Sequence, residues 1–432
     1  MIAALLFLMF LGAMLAGVPI AAALGLAGAA AIAMADFHTQ WFGLLAVPQN
    51  FYAGLGKYPL LAIPMFVLVG SIFDRSGVAA RLVRFAIAIV GQGPGMLPLV
   101  AIVVAMFLGG ISGSGPATAA AVGAVMIAAM KRGGYPAAYS ASVVGAAAAT
   151  DILIPPSVAF IIYSVLVPGA SVPALFAAGL IPGVLVGLAL IVPAVWLARR
   201  HGMGAGESQL ERPPFWASLR EASWGLAAPV LILGGMRMGW FTPTEAAVVA
   251  VFYGLFVGMV VHRTIRVRDL FHIFREAGEL SAVILIVVSL AGIFAFSLST
   301  LGVIDPVTQA IVHSGLGEIG VMLLIILLLS VAGMFLDGIS IFLIFVPLLW
   351  PIAQHFQWDP VWFGVILTMM VALGQFTPPL AVNLMVSCRI AQVRIEDTIR
   401  WVGWMVVAML LVTVLVVSFP QLALWLPQRL GY

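Results

Sequence analysis

The sequence Ser112-Gly113-Ser114-Gly115-Pro116-Ala117-Thr118 interrupts a chain that is otherwise almost continuously apolar. Apolar runs flank it at 106–111 and at 119–129. Glycine and proline at this density disfavour an uninterrupted helix, so two half-length helices are predicted to meet here. Backbone groups unpaired at membrane depth are costly unless they are buried in protein or line a polar cavity. The stretch therefore predicts a polar site around which the rest of the chain is organised.

The composition is that of a polytopic membrane protein. Of 432 residues, 63% are hydrophobic and 8% are charged, whereas soluble domains carry roughly 25% charged residues. The basic residues stand at the ends of apolar segments rather than in one patch, which argues against nucleic-acid binding. No nucleotide-binding loop, zinc motif or nucleophile elbow is present. We therefore expect a protein that is not an enzyme and that draws on an ion gradient rather than on ATP.

The lengths of the apolar runs predict the spans, because a spanning helix needs about 20 apolar residues. Ten are predicted, at 2–16, 18–35, 58–73, 136–166, 173–198, 222–240, 244–262, 280–297, 360–390 and 399–426. The first two could form one bent element, because Gly17-Val18-Pro19 separates them. Two further segments, 95–130 and 318–355, are apolar but broken at mid-length, which predicts a re-entrant helical hairpin in each.

The arginine-rich segment ends all fall on one side when the spans are followed in order, and the positive-inside rule makes that side cytoplasmic. The first hairpin then enters the membrane from the cytoplasm, and the second enters from outside. Asp74, next to Arg75, is expected to form an ion pair with it at the membrane interface.

An internal repeat relates the two hairpins. Pro155-Pro156 and Pro378-Pro379 are the only Pro-Pro pairs within apolar spans, and they lie 223 residues apart. The same offset matches Ser114 with Asp337, at the break of the second hairpin. Chance likeness between apolar sequences is the alternative. Paired interrupted segments in two inverted halves indicate the binding site of a transporter.

This repeat predicts an all-α fold with five parts. They are N-terminal scaffold helices (1–54), a first repeat (55–170, with hairpin 95–130 and broken helix 136–166), scaffold spans with a cytoplasmic loop at 199–221 (171–277), a second, inverted repeat (278–393, with hairpin 318–355 and broken helix 360–390) and a C-terminal span (394–432).

The hairpin tips and Pro-Pro breaks carry the candidate binding residues. Because proline lacks an N–H, carbonyls before each pair lose their helical donors and, with nearby hydroxyls, suit a dehydrated alkali cation. The candidate cation ligands are Ser112, Gly113, Ser114, Thr150, Asp151, Asp337, Gly338, Gln375 and Thr377. The N-terminal ends of the following half-helices can face an anionic substrate. The candidate substrate contacts are Ser114, Gly115, Pro116, Thr118, Pro156, Ser157, Pro379 and Asn383.

Each candidate has an alternative interpretation. A serine or threonine hydroxyl in a membrane helix often bonds to the preceding turn of its own helix. Asp151 and Asp337 are the only acids near the middle of these elements, where an ionisable group is a functional hypothesis by default. Asp337 suits a cation ligand or a proton carrier. Asp151 could instead donate, in its protonated form, to a freed carbonyl.

At Gly109–Thr118 the chain closely resembles the large membrane subunit of tripartite ATP-independent periplasmic (TRAP) transporters. The likeness continues at 130–135 and 154–157, returns at 333–337 and 377–384, and covers nearly the whole chain. The resemblance implies an elevator-type transporter of the bacterial inner membrane that imports a carboxylate, such as a C4-dicarboxylate or sialic acid, together with sodium ions. It implies sodium at the cation sites and no other cofactor. Its expected partners are a small four-helix membrane subunit, a periplasmic binding protein and the lipid bilayer.

One residue departs from the pattern of the family that the chain resembles. The family more usually has a Gly-rich neutral sequence where this chain has Asp151, which bears on ion stoichiometry or substrate preference. A carrier of the same architecture, coupled to sodium or protons and needing no binding protein, is the main alternative function. A non-transporting membrane scaffold is a further alternative, but it leaves two inverted broken hairpins without a purpose.

Overall fold

The structure, a computed structural model, describes residues 2–35, 42–91, 93–207 and 212–432. In these residues the chain is helical and has no strand. The α-helices are α1 (Ile2–Leu15), α2 (Ile20–Ala35), α3 (Phe42–Leu55), α4 (Ala62–Arg75), α5 (Val78–Val90), α6 (Met96–Ser112), α7 (Gly115–Arg132), α8 (Ala137–Ala147), α9 (Val158–Leu166), α10 (Val172–Arg200), α11 (Phe215–Arg237), α12 (Pro243–Phe256), α13 (Val267–Thr300), α14 (Ile304–Val312), α15 (Gly317–Gly333), α16 (Gly338–His355), α17 (Pro360–Gly374), α18 (Val382–Ala391), α19 (Ile399–Ser418) and α20 (Gln421–Leu430).

Both predicted hairpins are pairs of helices, each of 17 or 18 residues, that pack against each other. In the first, α6 ends at Ser112 and α7 begins at Gly115. In the second, α15 ends at Gly333 and α16 begins at Gly338. The prediction that the chain breaks at these two polar stretches is confirmed.

The two Pro-Pro spans are also broken, and their first halves form the centre of the protein. After α8 the chain passes through a 3-10 turn, Ala148–Ile152, and becomes helical again only at α9. A similar interruption separates α17 from α18. All of α17 from Val361 onward is buried, as expected for a helix that is apolar on every side. The polar residues at the breaks therefore lie in the core.

Six helical stretches among the described residues are long and apolar enough to cross a membrane, namely Tyr58–Arg75, Val172–Arg200, Pro243–Val261, Val267–Thr300, Gly338–His355 and Ile395–Ser418. The half-helices α6, α15, α17 and α18 are shorter apolar helices. The all-α polytopic architecture is thus confirmed, while the division into scaffold and inverted repeats stays a prediction.

Several predicted boundaries differ from the structure. The predicted span 399–426 is two helices, because the chain leaves the helix at Phe419, immediately before Pro420. Helices α1 and α2 are separate and pack together rather than forming one bent element. Helix α11 begins at Phe215, inside the predicted loop 199–221.

Three helices, α3, α5 and α14, were not among the predicted spans. They have 14, 13 and 9 residues, fewer than the about 20 that a span needs. Parts of two predicted regions cannot be compared with the structure. Residues 36–41 of the N-terminal scaffold and 208–211 of the predicted loop lie outside the described residues.

Candidate functional site

A cavity of about 720 Å³ lies between the tips of the two hairpins. The predicted site residues that line it are Ser112, Gly113, Ser114, Gly115, Pro116, Asp337, Gly338 and Gln375. Apolar side chains of α4 and α13, among them Val67 and Val283, complete its wall. The structure therefore brings the two polar tips, from opposite halves of the sequence, to one cavity.

The first tip is a tight turn that lies on the Pro-Pro break of its own half. Gly113 ends α6 in the left-handed conformation, with φ of 64°. A Cβ atom at this position would lie 2.5 Å from the carbonyl oxygen of Pro156, which explains why glycine is required. Ser114 precedes α7 in an extended conformation, but its side chain makes no capping hydrogen bond.

Asp151, rather than Ser114, provides the hydrogen-bond acceptors for the first tip. Its carboxylate accepts a hydrogen bond from the backbone N–H of Gly113 at 3.0 Å and another from the hydroxyl of Thr118 at 2.8 Å. Asp151 is completely buried and does not line the cavity. Asp151 thus ties the break of the first half to the first hairpin tip.

The second tip carries its own acid. Asp337 precedes α16 and accepts hydrogen bonds from the backbone N–H groups of Ile339 at 3.1 Å and Ser340 at 3.3 Å. The hydroxyl of Ser340 also donates to this carboxylate. Asp337 is an N-cap of the usual kind, and unlike Asp151 it faces the cavity.

The unpartnered side-chain atoms of Gln375 and Asn383 lie where the first tip meets the second Pro-Pro break. A Cβ at Gly115 would lie 2.6 Å from Oε1 of Gln375 and 2.7 Å from Nδ2 of Asn383, so these side chains press against the backbone of the tip. Eight buried side-chain atoms in the described residues lack a hydrogen-bond partner. Four of them are Ser112 Oγ, Gln375 Oε1 and both polar atoms of the Asn383 amide.

These unpartnered atoms point to a polar ligand, because buried polar groups in proteins are almost always hydrogen-bonded. Three of the four atoms are oxygens, which are the ligands that hard cations prefer. Asn383 is fully buried, and its backbone N–H donates to the carbonyl oxygen of Gln375 at 2.9 Å. The backbone of these two residues is therefore tied together by the fold. The donor set fits an alkali cation.

Other predicted site residues bond elsewhere. The hydroxyls of Thr150 and Thr377 donate to carbonyls of their own helices, at 2.7 and 2.6 Å, which is the alternative interpretation for hydroxyls in membrane helices. Ser157 caps α9 by accepting from the N–H of Phe160. Pro156 is buried, Pro379 is exposed, and neither lines the cavity. The structure does not bring these five side chains to the cavity wall.

Two acidic residues at the cavity were not predicted as site residues. Asp74 on α4 and Glu276 on α13 both line it. The expected Asp74–Arg75 ion pair is not found: Arg75 instead pairs with Glu276 at 2.6 Å, because the two helices meet there. The sequence shows an acid beside an arginine, but it does not show which distant acid the arginine reaches.

Comparisons with known proteins give a consistent result. Residues 7–422 match the profile of the family described as "Tripartite ATP-independent periplasmic transporter, DctM component". The chain is 34% identical to the C4-dicarboxylate TRAP transporter large permease protein DctM of Vibrio cholerae, over all of this chain and 98% of that one.

Two further similarities extend the comparison. The isethionate TRAP transporter permease protein DctMQ of Oleidesulfovibrio alaskensis is 36% identical over 95% of this chain. This chain spans only 64% of the length of that relative. The crystal structure of the Alcanivorax borkumensis YdaH transporter, 13% identical, aligns with a TM-score of 0.60 over 89% of this chain and 91% of that chain. At this identity the likeness shows a shared fold.

Proposed function

Since the chain belongs to the DctM component family of tripartite ATP-independent periplasmic transporters, we propose that it imports a carboxylate, driven by sodium ions, through the cavity between its hairpin tips. It is a multi-pass protein of the bacterial inner membrane. It is the large permease of a secondary transporter of organic acids and not an enzyme. The coupling ion, the substrate site and the mechanism are parts of the proposal.

The unpartnered oxygens of Ser112, Gln375 and Asn383 are the observation that supports sodium most directly. A sodium ion held by these atoms would satisfy polar groups that otherwise carry a desolvation cost. The first tip and the second break would then share one ion. Binding of the ion would hold the two halves of the site together. The substrate pocket would then be complete only when sodium is bound.

The carboxylate is proposed to lie against the helix N-termini at the tips. Helices α7 and α16 both begin at the cavity, at Gly115 and Gly338. The N-terminal end of a helix carries partial positive charge and free N–H groups, which favour an anion. No lysine or arginine lines this cavity among the described residues, so helix ends are the available source of positive potential. C4-dicarboxylates and sialic acid are the substrate types we propose to test first.

Asp151 is proposed to support sodium binding indirectly, by holding the first hairpin tip in position. Two hydrogen bonds engage its carboxylate, and these bonds hold the backbone that places Ser112 and Ser114 at the cavity. Asp337, whose carboxylate reaches the cavity, is the better candidate for a direct ligand. The proposed sodium set is thus narrower than the one that the sequence predicts.

An elevator motion of two inverted repeats is the proposed transport mechanism. The repeats 55–170 and 278–393 would form a unit that carries the cavity across the membrane relative to the remaining helices. The matched positions of the two hairpin breaks and the two Pro-Pro breaks support this proposal. Asp74 and Glu276 lie at helix ends predicted to be cytoplasmic, and both line the cavity, so we propose that this conformation opens inward.

A small four-helix membrane subunit and a periplasmic binding protein are the proposed partners. The decisive experiment reconstitutes the chain into liposomes with both partners and measures uptake of a labelled carboxylate with and without an inward sodium gradient. Uptake that needs the gradient and the binding protein supports the proposal. Equal uptake by the chain alone supports a self-sufficient carrier, and uptake that ignores sodium but follows a proton gradient overturns the choice of ion.

A matched pair of variants on α18 tests the site. Asn383→Leu removes both unpartnered amide atoms, while Ser387→Ala removes a hydroxyl on the same helix that bonds to its own preceding turn at 3.0 Å. We expect Asn383→Leu to raise the sodium requirement at least about tenfold, which corresponds to the loss of roughly one hydrogen-bond-strength ligand contact. Ser387→Ala should leave it unchanged. Equal effects of the two variants would contradict the site.

A further inference from the structure

A second concave site lies on the surface of the protein, away from the transport cavity. It is a groove of about 630 Å³ between the N-terminal part of α6 and the C-terminal part of α10. Apolar side chains, among them Leu99, Ile191, Val195 and Trp196, line most of it. Arg199 and Arg200 stand at one end. The groove therefore has one long apolar wall and one strongly basic end.

The dimensions of the groove match one leaflet of a bilayer. From Ile191 to Arg200 the helix rises about 14 Å, at 1.5 Å per residue, and half of a hydrocarbon core of about 30 Å is about 15 Å. The positive-inside rule places the arginine end of α10 at the cytoplasmic surface. The apolar wall then lies in the inner leaflet, and the two guanidinium groups lie at the depth of its headgroups.

Aromatic rings fix the position of this positive charge. The guanidinium of Arg200 lies 4.9 Å from the ring centre of Trp196, and that ring packs 5.1 Å from the ring of Trp404. Tryptophan is enriched at the level of lipid headgroups. Arg199 and Arg200 are exposed and take part in none of the ion pairs formed among the described residues. No carboxylate among the described residues lines the groove.

We infer that this groove binds an anionic phospholipid of the inner leaflet, with an acyl chain along α6 and α10 and the phosphate at Arg199 and Arg200. Guanidinium groups recognise phosphate oxygens in a bidentate manner, and basic pockets between membrane helices on the cytoplasmic side suit anionic headgroups. A free phosphate ion would make no favourable contact with the apolar wall. A transmembrane helix of another protein would leave two arginines facing its apolar surface.

The test measures binding of phosphatidylglycerol with a fluorescent acyl chain to the purified full-length chain in detergent, with the same label on phosphatidylcholine as the neutral probe. Each arginine near an anionic surface contributes roughly a fivefold gain in affinity. We expect Arg199→Gln/Arg200→Gln to weaken phosphatidylglycerol binding about thirtyfold and to leave phosphatidylcholine binding unchanged. Arg263→Gln/Arg266→Gln, which removes two exposed arginines from the link before α13, is the matched control and should change neither.

A second variant keeps the charge and fills the groove. Ile191→Trp is expected to abolish phosphatidylglycerol binding with both arginines in place, and elution as a single symmetric peak would establish that it is folded. The inference is overturned if the control pair loses as much binding as the Arg199/Arg200 pair. It is also overturned if Ile191→Trp binds normally, if inorganic phosphate displaces the lipid from its site, or if the small membrane subunit displaces it.

Discussion

Replacing Asp151 with alanine removes both acceptors from the tip of the first hairpin. The N–H of Gly113 and the hydroxyl of Thr118, at 3.0 and 2.8 Å from the carboxylate, then lack a partner in a fully buried site. A buried donor left unsatisfied costs about 1–3 kcal/mol, so the two together are expected to lower the free energy of unfolding by about 2–6 kcal/mol. Asp151→Asn keeps one acceptor, and the Thr118 hydroxyl can turn to accept from the new amide, so about 1 kcal/mol is expected.

A double-mutant cycle isolates the contact between Asp151 and Thr118. The cycle combines Asp151→Ala with Thr118→Val and measures equilibrium unfolding in mixed detergent and dodecyl sulfate micelles. A hydrogen bond to a carboxylate predicts a coupling energy of about 1.5–3 kcal/mol. Thr368→Val is the matched control, because its buried hydroxyl bonds to Gly364 of its own helix. Its cycle with Asp151→Ala should give a coupling within about 0.5 kcal/mol of zero.

The functional consequence separates a positioning role from a purely structural one. If Asp151 holds the tip in its sodium-binding geometry, Asp151→Ala should raise the sodium concentration for half-maximal uptake about tenfold, while protein that remains folded keeps its maximal rate. Asp151→Asn should restore most of the sodium affinity. A coupling energy as small as that of the Thr368 control, or an unchanged sodium titration in a folded Asp151→Ala protein, would refute the reasoning.

Three further predictions concern other positions in the chain, and the first two compare matched positions. Asp337→Ala and Asp359→Ala each remove an N-cap with two backbone contacts, and each should cost about 1–2 kcal/mol of stability. Only Asp337→Ala should abolish sodium-dependent uptake, and equal uptake by the two variants would contradict the site. The Cβ atom added by Gly113→Ala would clash with a backbone carbonyl, whereas the one added by Gly134→Ala, also at positive φ, would lie in open space. The folded yield should therefore fall sharply only for Gly113→Ala, and equal yields would refute the packing argument. Burial lowers the pKa of His262, so the stability that its neutral form contributes is present above about pH 6.5 and is lost as the pH falls below that value. His262→Gln should reduce this loss of thermal stability at low pH. An unchanged dependence of the unfolding temperature on pH would contradict the role of His262.

The sequence was sufficient to locate the polar breaks, because their chemistry is local. Glycines and a proline between Ser112 and Thr118 cannot continue a buried helix without loss, and a Pro-Pro pair removes two donors wherever it stands. The offset between Pro155 and Pro378 then pointed to the second tip at Asp337. The structure confirms both breaks, and it places both tips at one cavity.

The partners of the site residues could not be read from the sequence, because they depend on which distant element packs beside them. Arg75 stands next to Asp74 but reaches Glu276, about 200 residues away, because α4 and α13 pack together. The short helix α3 was missed for a related reason. Isolated helices of about this length are marginal, and packing against α13 and α2 stabilises this one. Gln375 and Asn383 were predicted, but not their contact with Gly115.

The position of Asp151 follows from a difference in packing between the two halves. On the proposed repeat, the offset of 223 matches Asp151 with Gly374, and Ser114 with Asp337. In the second half a Cβ at Gly374 would lie 2.5 Å from the Cα of Gly333, so that position has no room for a side chain, and the acid that serves the tip stands in the tip itself. In the first half a glycine of α6 approaches Asp151 and leaves its side chain free to reach the tip. Each tip is therefore hydrogen-bonded by one carboxylate. That of Asp337 faces the cavity, and that of Asp151 does not. Ser114→Asp places the acid of the first tip where the second tip has it, and should restore the sodium affinity that Asp151→Ala loses. A sodium titration of uptake by Ser114→Asp/Asp151→Ala that matches that of Asp151→Ala alone would contradict this.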